Sequence, residues 1–255
     1  LTDQEAKRPK NLKNGDALKD DIKRASERFN DLQNLFYADG RYAMLVVLQG
    51  RDASGKDGVI RHVFGACDPQ GLQVTGFKVP TDLERSHDFL WRIHQAVPPK
   101  RMIGIFNRSH YEDVIVVRVR NLAPRSVWSK RYAQINEFEH MLSLNNVIIL
   151  KFFLHISHKE QREQLVERLE DPTKNWKFRA GDLDDRQLWT SYTRAYRDAF
   201  SKCSTRWAPW YVVPSDDKKA RNYLITQTII EKLESLPLEY PRAPREVLAL
   251  KDTIR

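Results

Sequence analysis

A nearly continuous apolar run at residues 42–48 leads directly into a glycine-rich turn that begins at Gly50. Such a run is typical of a strand that is buried on both faces of a parallel sheet. After the turn, apolar residues at positions 59, 60, 63 and 64 have the spacing of one face of a helix. Strand, tight turn and helix in this order predict an α/β fold.

Four later segments repeat this alternation, so the sequence predicts a five-stranded parallel sheet flanked by helices. The later predicted strands span residues 73–79, 102–106, 146–154 and 210–213. Two helix starts also carry the capping-box pattern, in which a hydroxyl and a later glutamate bond the first free amides. They are Thr81 with Glu84 and Ser157 with Glu160.

The 255 residues suit one large α/β domain, residues 1–255, without an internal repeat. Residues 1–40 are predicted to form a basic, loosely held arm up to residue 14 and then an amphipathic helix. Residues 168–186 interrupt the pattern with proline, glycine and several cations, and we interpret them as a lid. Residues 237–255 contain Pro241 and Pro244 and are predicted to be an extended strap on the surface.

The chain is basic, because 43 Lys and Arg against 34 Asp and Glu give a net charge of +9. This favours a polyanionic partner, without choosing among nucleic acid, an acidic membrane and a phosphate-rich substrate. Cys67 and Cys203 are too far apart in sequence for a CxxC metal pair or a disulfide framework. No apolar run approaches the roughly 20 residues that span a bilayer. We therefore expect a cytoplasmic protein with no membrane partner.

The turn after the first strand has the Gly-x-x-x-x-Gly-Lys spacing of a phosphate-binding loop, or P-loop. Glycines let the backbone curl so that amides and a helix N-terminus face an anion, and the lysine adds a point charge. An ordinary strand-to-helix turn is the alternative, but the flanking strand and helix favour the P-loop. The residues predicted to bind phosphate here are Gly50, Arg51, Ala53, Ser54, Gly55, Lys56, Asp57 and Gly58.

Two carboxylates distinguish this loop from the usual motif. Asp57 stands where serine or threonine commonly follows the lysine, and Asp52 lies inside the loop. Mg²⁺ prefers carboxylate, water and phosphate oxygens, so these side chains suit a metal held beside phosphates. We interpret Asp52 as a metal ligand or proton acceptor. A contact with the positive end of the helix explains Asp57 equally well.

A second polar cluster, residues 107–113, begins where the third predicted strand ends. Ligands of open parallel sheets bind beyond the carboxyl ends of the strands, so Asn107 and Arg108 are expected beside the P-loop. An arginine there can bond phosphate oxygens in fork geometry, and a salt bridge within the sheet is its alternative. Glu112 and Asp113 are candidates for orienting a nucleotide or for binding metal through water.

Further candidates lie outside these two segments. Arg118 is predicted on one helix that leads away from the second cluster, with its side chain facing the phosphates. The lid cations Arg168, Lys174, Lys177 and Arg179 would close over phosphates unless they form only a solvated loop. The residues after the second strand, where an acceptor nucleotide can reach, are Phe77, Lys78, Pro80 and Thr81. A simple strand end and helix cap is the alternative for this segment.

Together these motifs resemble the polyphosphate kinase 2 family, P-loop enzymes related in fold to thymidylate kinase. The matching segments are GRDASGKDGVIRHV at 50–63, VTGFKVPT at 74–81, HDFLWRIH at 87–94, FNRSHYEDV at 106–114, DPTKNWKF at 171–178 and WAPWYVVP at 207–214. The resemblance implies a P-loop kinase fold with a helical lid. It also implies Mg²⁺-dependent transfer of a phosphoryl group between inorganic polyphosphate and a nucleotide.

The resemblance places the family's Walker A aspartate and lysine on Asp52 and Lys56, and its Walker B segment on residues 107–113. Asn107 stands where many relatives have aspartate, which is similar to the branch that uses both AMP and ADP. We therefore expect a reversible kinase of adenine nucleotides, with guanine nucleotides left open, and a homo-oligomer. The implied catalytic residues are Asp52, Lys56, Arg108, Glu112 and Arg118. Asp52 and Glu112 are the implied metal ligands. The implied nucleotide-binding residues of this segment are Asn107, Arg108 and Asp113.

Two other functions are consistent with part of this pattern. An ATP-dependent nucleoside monophosphate kinase would share the P-loop and the lid but would need no long track for an anion. A basic nucleic-acid-binding protein with a vestigial P-loop is disfavoured, because the sequence has no base-reading motif. We therefore expect no nucleic-acid partner.

Overall fold

The computed structural model describes residues 1–178 and 181–254. Within these residues, five parallel strands form one sheet in the order β2-β3-β1-β4-β5. The strands are β1 (Ala43–Gly50), β2 (Leu72–Gly76), β3 (Ile103–Asn107), β4 (Val147–His155) and β5 (Trp210–Pro214). The predicted sheet is confirmed, although β2 ends at Gly76, so that residues 77–79 follow the strand.

Helices cover both faces of the sheet. The α-helices are α1 (Gly15–Asp39), α2 (Lys56–Val63), α3 (Asp82–Arg85), α4 (Trp91–Ala96), α5 (Val116–Val119), α6 (Arg125–Leu144), α7 (His158–Glu170), α8 (Gly181–Gln187), α9 (Trp189–Cys203), α10 (Lys218–Glu234), α11 (Arg245–Ala249) and α12 (Lys251–Ile254). Short 3₁₀ turns lie at Phe64–Ala66, Pro69–Gly71, His110–Asp113 and Asn175–Lys177. In the described part of the chain, no helix has both the length and the apolar character needed to cross a bilayer.

The central strand β1 separates two apolar cores. Leu45 and Val47 belong to the core that also contains buried side chains of α6 and α9. Met44, Val46 and Leu48 belong to the core formed with α1, α2 and α10. Because successive strand residues point to opposite faces, a strand with helices on both sides must be apolar throughout. This explains the uninterrupted apolar run in the sequence.

One of the two predicted capping boxes is complete. Thr81 accepts a hydrogen bond from the Glu84 amide, and the Glu84 carboxylate accepts one from the Thr81 amide. Ser157 caps α7 through the Glu160 amide, but the Ser157 amide donates to Asp216 Oδ1 at 2.8 Å. The prediction that Glu160 bonds this amide was therefore wrong, because a residue distant in sequence takes its place.

The two ends of the chain differ from the sequence prediction. The N-terminal arm is held in place: Ala6 is fully buried, and its carbonyl accepts a hydrogen bond from the Asp216 amide at 3.1 Å. His155 Nε2 lies 2.8 Å from the Thr2 carbonyl oxygen. The C-terminal tail is exposed as predicted, but it contains α11 and α12 instead of being extended throughout.

The register of β1 and β3 determines where the two polar segments meet. Leu48 pairs with Asn107 in parallel register, so both strands end at the same edge of the sheet. The turn after β1 and the cluster after β3 therefore leave the sheet side by side. The chain after β3 is not the single helix predicted to carry Arg118, because a 3₁₀ turn (His110–Asp113) and the short α5 divide it.

Candidate active site

The P-loop joins β1 to α2 through backbone conformations that few residues adopt. Gly55 has a φ of +95°, and Ala53 has a φ of +63° although it carries a side chain. A Cβ on Gly50 would lie 2.5 Å from Ser54 Oγ, so the turn also closes tightly on itself. Strained backbone of this kind is found where a loop must shape itself around a ligand.

Lys56, the first residue of α2, points back into the loop. Its ammonium donates hydrogen bonds to the carbonyls of Gly50 at 2.8 Å and Arg51 at 3.2 Å, and only 9% of the residue is exposed. Burial, assisted by the nearby Arg108 charge, lowers the pKa of Lys56 to about 8. A desolvated cation whose hydrogen-bond partners in the described part of the chain are carbonyls is well suited to attract a phosphate.

Arg108 joins the two segments. Its Nη2 donates to Asp52 Oδ1 at 3.0 Å, and its Nη1 donates to Glu112 Oε2 at 3.3 Å. Arg108 has a φ of +66°, and its amide donates to the Leu48 carbonyl at 3.1 Å, which fixes the backbone at the end of β1. Burial alone would lower the pKa of the guanidinium, but the Glu112 and Asp52 carboxylates raise it overall.

A second hydrogen bond connects the same two segments. Asn107 Nδ2 donates to Asp57 Oδ1 at 2.9 Å, so the amide at the end of β3 contacts the first turn of α2. The structure thus brings together the glycine turn and the Asn107–Arg108 pair, as the sheet order requires. The expected juxtaposition of the two segments is confirmed by these contacts.

Asp113 and Arg118 contact other parts of the molecule. The Asp113 carboxylate accepts a hydrogen bond from Arg131 Nη1 at 2.9 Å, and burial raises its pKa. Arg118 Nη1 donates to Asp198 Oδ2 at 2.5 Å, and the guanidinium lies over the Trp128 ring at 4.9 Å. Neither Asp198 nor Trp128 belongs to the P-loop, so the structure does not bring Arg118 to the phosphate loop through these contacts.

Helices α7, α8 and α9 connect the predicted lid to the P-loop. Gln161 on α7 donates to the Asp52 carbonyl at 3.1 Å, and Arg186 on α8 donates to Gln161 Oε1 at 3.0 Å. Arg51 donates to Thr193 Oγ1 at 2.5 Å and stacks on the Trp189 ring at 3.9 Å, both on α9. Arg186, within the predicted lid, is therefore linked to the Asp52 carbonyl of the P-loop through hydrogen bonds of Gln161.

The predicted lid cations are described only in part. The Lys174 ammonium lies 2.9 Å from a carboxylate oxygen of Glu167 and of Asp171. Its hydrogen bonds, of which the one to Asp171 has the larger effect and the one to Glu167 the smaller, raise the pKa of Lys174 to about 12. Arg168 lies half-buried on α7. Lys177 ends a 3₁₀ turn, but its side chain and the whole of Arg179 lie outside the described residues.

The segment after β2 contains the residues predicted for the nucleotide side. Phe77 is buried and packs edge-to-face against Phe106 with 4.9 Å between the ring centroids. The Lys78 carbonyl accepts a hydrogen bond from Arg92 at 2.9 Å, and the Pro80 carbonyl accepts one from Arg85 at 2.7 Å. With Thr81 capping α3, this segment has a defined backbone at the edge of the sheet next to β3.

Sequence reasoning missed five residues that contact the P-loop or its partners. They are Gln161, Arg186, Trp189, Thr193 and Arg221. Each lies more than 100 positions after the loop and belongs to no recognised motif, so spacing gave no indication of its location. The sequence gives a partial indication for Arg221, because two glycines at positions 55 and 58 leave space beside the loop that a large side chain from another helix can fill.

The residues present are compatible with a magnesium ion of the usual kinase type. Among the described residues, no group of three or more His, Cys, Asp and Glu side chains is arranged to hold a metal by itself. Asp52 and Glu112, however, converge on one guanidinium beside the phosphate loop. Mg²⁺ in phosphoryl-transfer sites is commonly held by one or two carboxylates together with substrate phosphates and water, and this donor set fits.

The parallel sheet, the P-loop with its buried lysine and the arginine at the end of the neighbouring strand define a P-loop phosphotransferase. The family model described as Polyphosphate kinase 2 matches residues 13–240. The chain therefore belongs to the polyphosphate kinase 2 family, as its motifs predicted.

Individual relatives and a solved structure agree with this assignment. An AMP/ADP-polyphosphate phosphotransferase from Meiothermus ruber is 54% identical over 217 residues, which cover 85% of this chain and 81% of the relative. An ADP-polyphosphate phosphotransferase from Rhodopseudomonas palustris is 46% identical, over 84% of this chain and 78% of that protein. The crystal structure of polyphosphate kinase 2 from Arthrobacter aurescens TC1 has a TM-score of 0.90 at 38% identity, covering 100% of this chain and 96% of the other.

The lowered pKa of Lys56 predicts a pH dependence. Above about pH 8 the free enzyme loses the Lys56 charge, so kcat/KM should fall roughly tenfold per pH unit. Bound phosphate restores the charge, so kcat should fall only at higher pH. Lys56→Arg keeps its charge, and its residual activity should not decline near pH 8. A wild-type kcat/KM profile that stays flat to pH 10 would contradict this assignment.

Proposed function

We propose that this chain catalyses reversible, Mg²⁺-dependent transfer of a phosphoryl group between inorganic polyphosphate and AMP or ADP. The names of its relatives support the substrates, since they include an AMP/ADP-polyphosphate phosphotransferase and an ADP-polyphosphate phosphotransferase. The observation that carries the proposal is Arg108, which joins Asp52 of the P-loop to Glu112 beside the buried Lys56. Positive charge and carboxylates are thus concentrated at one end of the sheet.

In the forward direction, an oxygen of the AMP phosphate attacks the terminal phosphorus of polyphosphate, and the bond to the next bridging oxygen breaks. The electron pair stays with the shortened chain, and ADP is formed. Such a reaction needs alignment and neutralisation of charge more than covalent catalysis. The P-loop amides and Lys56 hold the phosphates, and Arg108 neutralises charge on the transferred group.

Asp52 and Glu112 are the residues that would hold Mg²⁺. When bound, the ion neutralises phosphate charge and orients phosphate oxygens. Asp52 is oriented for this by Arg108, and its carbonyl is fixed by Gln161. Glu112 approaches from the 3₁₀ turn (His110–Asp113), so ligands from two separate segments would meet at one ion.

The acceptor nucleotide is proposed to lie along the edge formed by the ends of β2 and β3. The residues assigned to it are Phe77, Lys78, Pro80, Thr81, Asn107, Arg108 and Asp113. Polyphosphate would extend toward the predicted lid, where Arg168, Lys174, Lys177 and Arg179 supply positive charge, and Arg118 is proposed to assist from α5. A homo-oligomeric state is part of the same proposal.

A comparison of phosphoryl donors tests the function. Purified protein with Mg²⁺ and AMP should form ADP and then ATP when polyphosphate is the only donor, at a rate at least about tenfold above that with ATP as donor. Parallel reactions with GMP and GDP define the base preference. Omitting Mg²⁺ should abolish turnover. Efficient use of ATP with no use of polyphosphate would instead identify a nucleoside monophosphate kinase.

A further inference from the structure

A buried arginine from a distant helix lies directly behind the P-loop. Arg221 is near the start of α10, only 3% of it is exposed, and its Nη1 donates to the Ser54 carbonyl at 3.3 Å. A Cβ on Gly55 would lie 2.0 Å from this Nη1, and a Cβ on Gly58 would lie 3.2 Å from Nη2. The guanidinium therefore fills the space left by the two glycines.

Among the described residues, the hydrogen-bond partners of this guanidinium are neutral. Its Nε and Nη2 donate to Asn222 Oδ1 at 3.0 and 2.9 Å, and its Nη1 donates to a carbonyl. The through-space effect of Asp217, which raises its pKa, is smaller than the opposite effect of burial, and that carboxylate caps α10 by accepting hydrogen bonds from the Lys219 and Ala220 amides. Burial lowers the pKa of Arg221 to about 10, which leaves it charged at neutral pH. A buried cation with only neutral hydrogen-bond partners costs folding free energy.

The orientation of one peptide group indicates what this cation supports. In a planar trans peptide the carbonyl and the following amide point in opposite directions. The Ser54 carbonyl points to Arg221, so the Gly55 amide points away from it, toward the front of the loop. Gly55 itself has left-handed backbone, at a φ of +95°.

We infer that Arg221 is a positioning residue of the phosphate site. It holds the Ser54–Gly55 peptide so that its amide faces the bound phosphate, and it places a positive charge behind the loop. This inference rests on the proposed function and deepens it, because it assigns part of the affinity for polyphosphate to a residue that does not touch the substrate.

The test uses Arg221→Met, which keeps an unbranched but shorter side chain without the charge, and Arg221→Lys, which keeps the charge without the fork. Arg221→Met should raise the KM for polyphosphate about tenfold or more, with a smaller change in kcat, because ground-state and transition-state binding weaken together. It should also reduce the rise in Tm that polyphosphate produces. The Tm without ligand should stay unchanged or increase, because the buried unpaired charge is gone. Arg221→Lys should stay within about threefold of the wild-type KM.

Gly58→Ala is a second test that leaves Arg221 in place. Alanine favours the helix over glycine, but its Cβ would lie 3.2 Å from Nη2, so the guanidinium must shift by a few tenths of an ångström and KM should rise. A merely structural role predicts the reverse: a lower Tm for Arg221→Met with an unchanged KM and ligand-induced Tm shift. That result, or an unchanged KM for Gly58→Ala, would overturn the inference. The wild-type protein is assayed first, because absence of polyphosphate turnover would refute the proposed function, while the Tm shifts would still report on Arg221.

Discussion

Lys56→Ala is expected to lower kcat/KM for ADP formation from AMP and polyphosphate by about 10³-fold, without unfolding the protein. The ammonium is the most deeply buried charge of the P-loop helix, and its Gly50 and Arg51 carbonyl partners place it within the loop. Water cannot replace a fixed charge in such a site. The fold should survive, because removing a buried cation also removes its cost of desolvation.

Two variants make this result specific. Asp52→Asn keeps the size of the side chain but removes the charge that pairs with Arg108, and it should also abolish turnover. Lys19→Ala is the matched control, because Lys19 is an exposed lysine on α1 paired with Asp16, and its activity should stay at the wild-type level. Circular dichroism and thermal unfolding establish that each variant is folded. Full activity of Lys56→Ala or Asp52→Asn would remove that residue from the mechanism.

Lys151→Met is expected to destabilise the protein by about 3–5 kcal/mol, because it leaves a buried carboxylate without its counter-charge. Lys151 lies in the middle of β4 and is fully buried. Its ammonium donates to Glu139 Oε2 at 2.6 Å, to Tyr111 Oη at 2.7 Å and to the Cys203 carbonyl at 2.7 Å. For a chain of this length, the loss corresponds to a decrease in Tm of about 10 °C.

A double-mutant cycle separates the charge from the packing. Glu139→Gln with Lys151→Met removes both charges and keeps similar volumes, so most of the lost stability should return. Chemical unfolding of the wild-type protein, both single variants and the double variant measures the coupling. If the double variant were destabilised by the sum of the single effects, the pair would contribute no specific interaction.

The buried Lys151–Glu139 pair also contacts the turn that carries Glu112. Glu139 Oε1 accepts a hydrogen bond from Tyr111 Oη at 3.0 Å and lies 3.1 Å from His110 Nε2. Tyr111 and His110 belong to the 3₁₀ turn that carries Glu112, the partner of Arg108. A network anchored on α6 and β4 therefore holds one side of the proposed metal and phosphate site.

Much of the fold could be predicted from sequence, because it depends on local signals. The apolar run of β1 requires helices on both faces, and the glycine turn after it requires a helix start, so the α/β alternation followed. The predicted end of β2 at residue 79 was wrong, because Phe77 continues the apolar pattern but packs against Phe106 after the strand has ended at Gly76. The N-terminal arm was misjudged because its basic composition gave no sign that Ala6 is buried.

The site could be predicted only where its residues lie next to strand ends. The adjacency of Arg108 and the P-loop followed from the rule that strands of a parallel sheet end at one edge. Gln161 and Arg221 contact the loop from helices far along the chain, and Arg186 contacts Gln161. These contacts depend on tertiary packing that no spacing rule contains. The sequence does contain a signal for Lys151, because a single charged residue inside an apolar strand needs a buried partner.

The pairing of Leu48 with Asn107 has a consequence for how errors in folding would affect activity. Neighbouring residues of a strand are about 3.3 Å apart, so a slip of one residue would carry Arg108 beyond hydrogen-bond reach of Asp52. The same slip would turn every side chain of β3 to the wrong face. We therefore expect the specific activity of a preparation to be proportional to the fraction of molecules with the native register, because a molecule with a shifted β3 would be inactive.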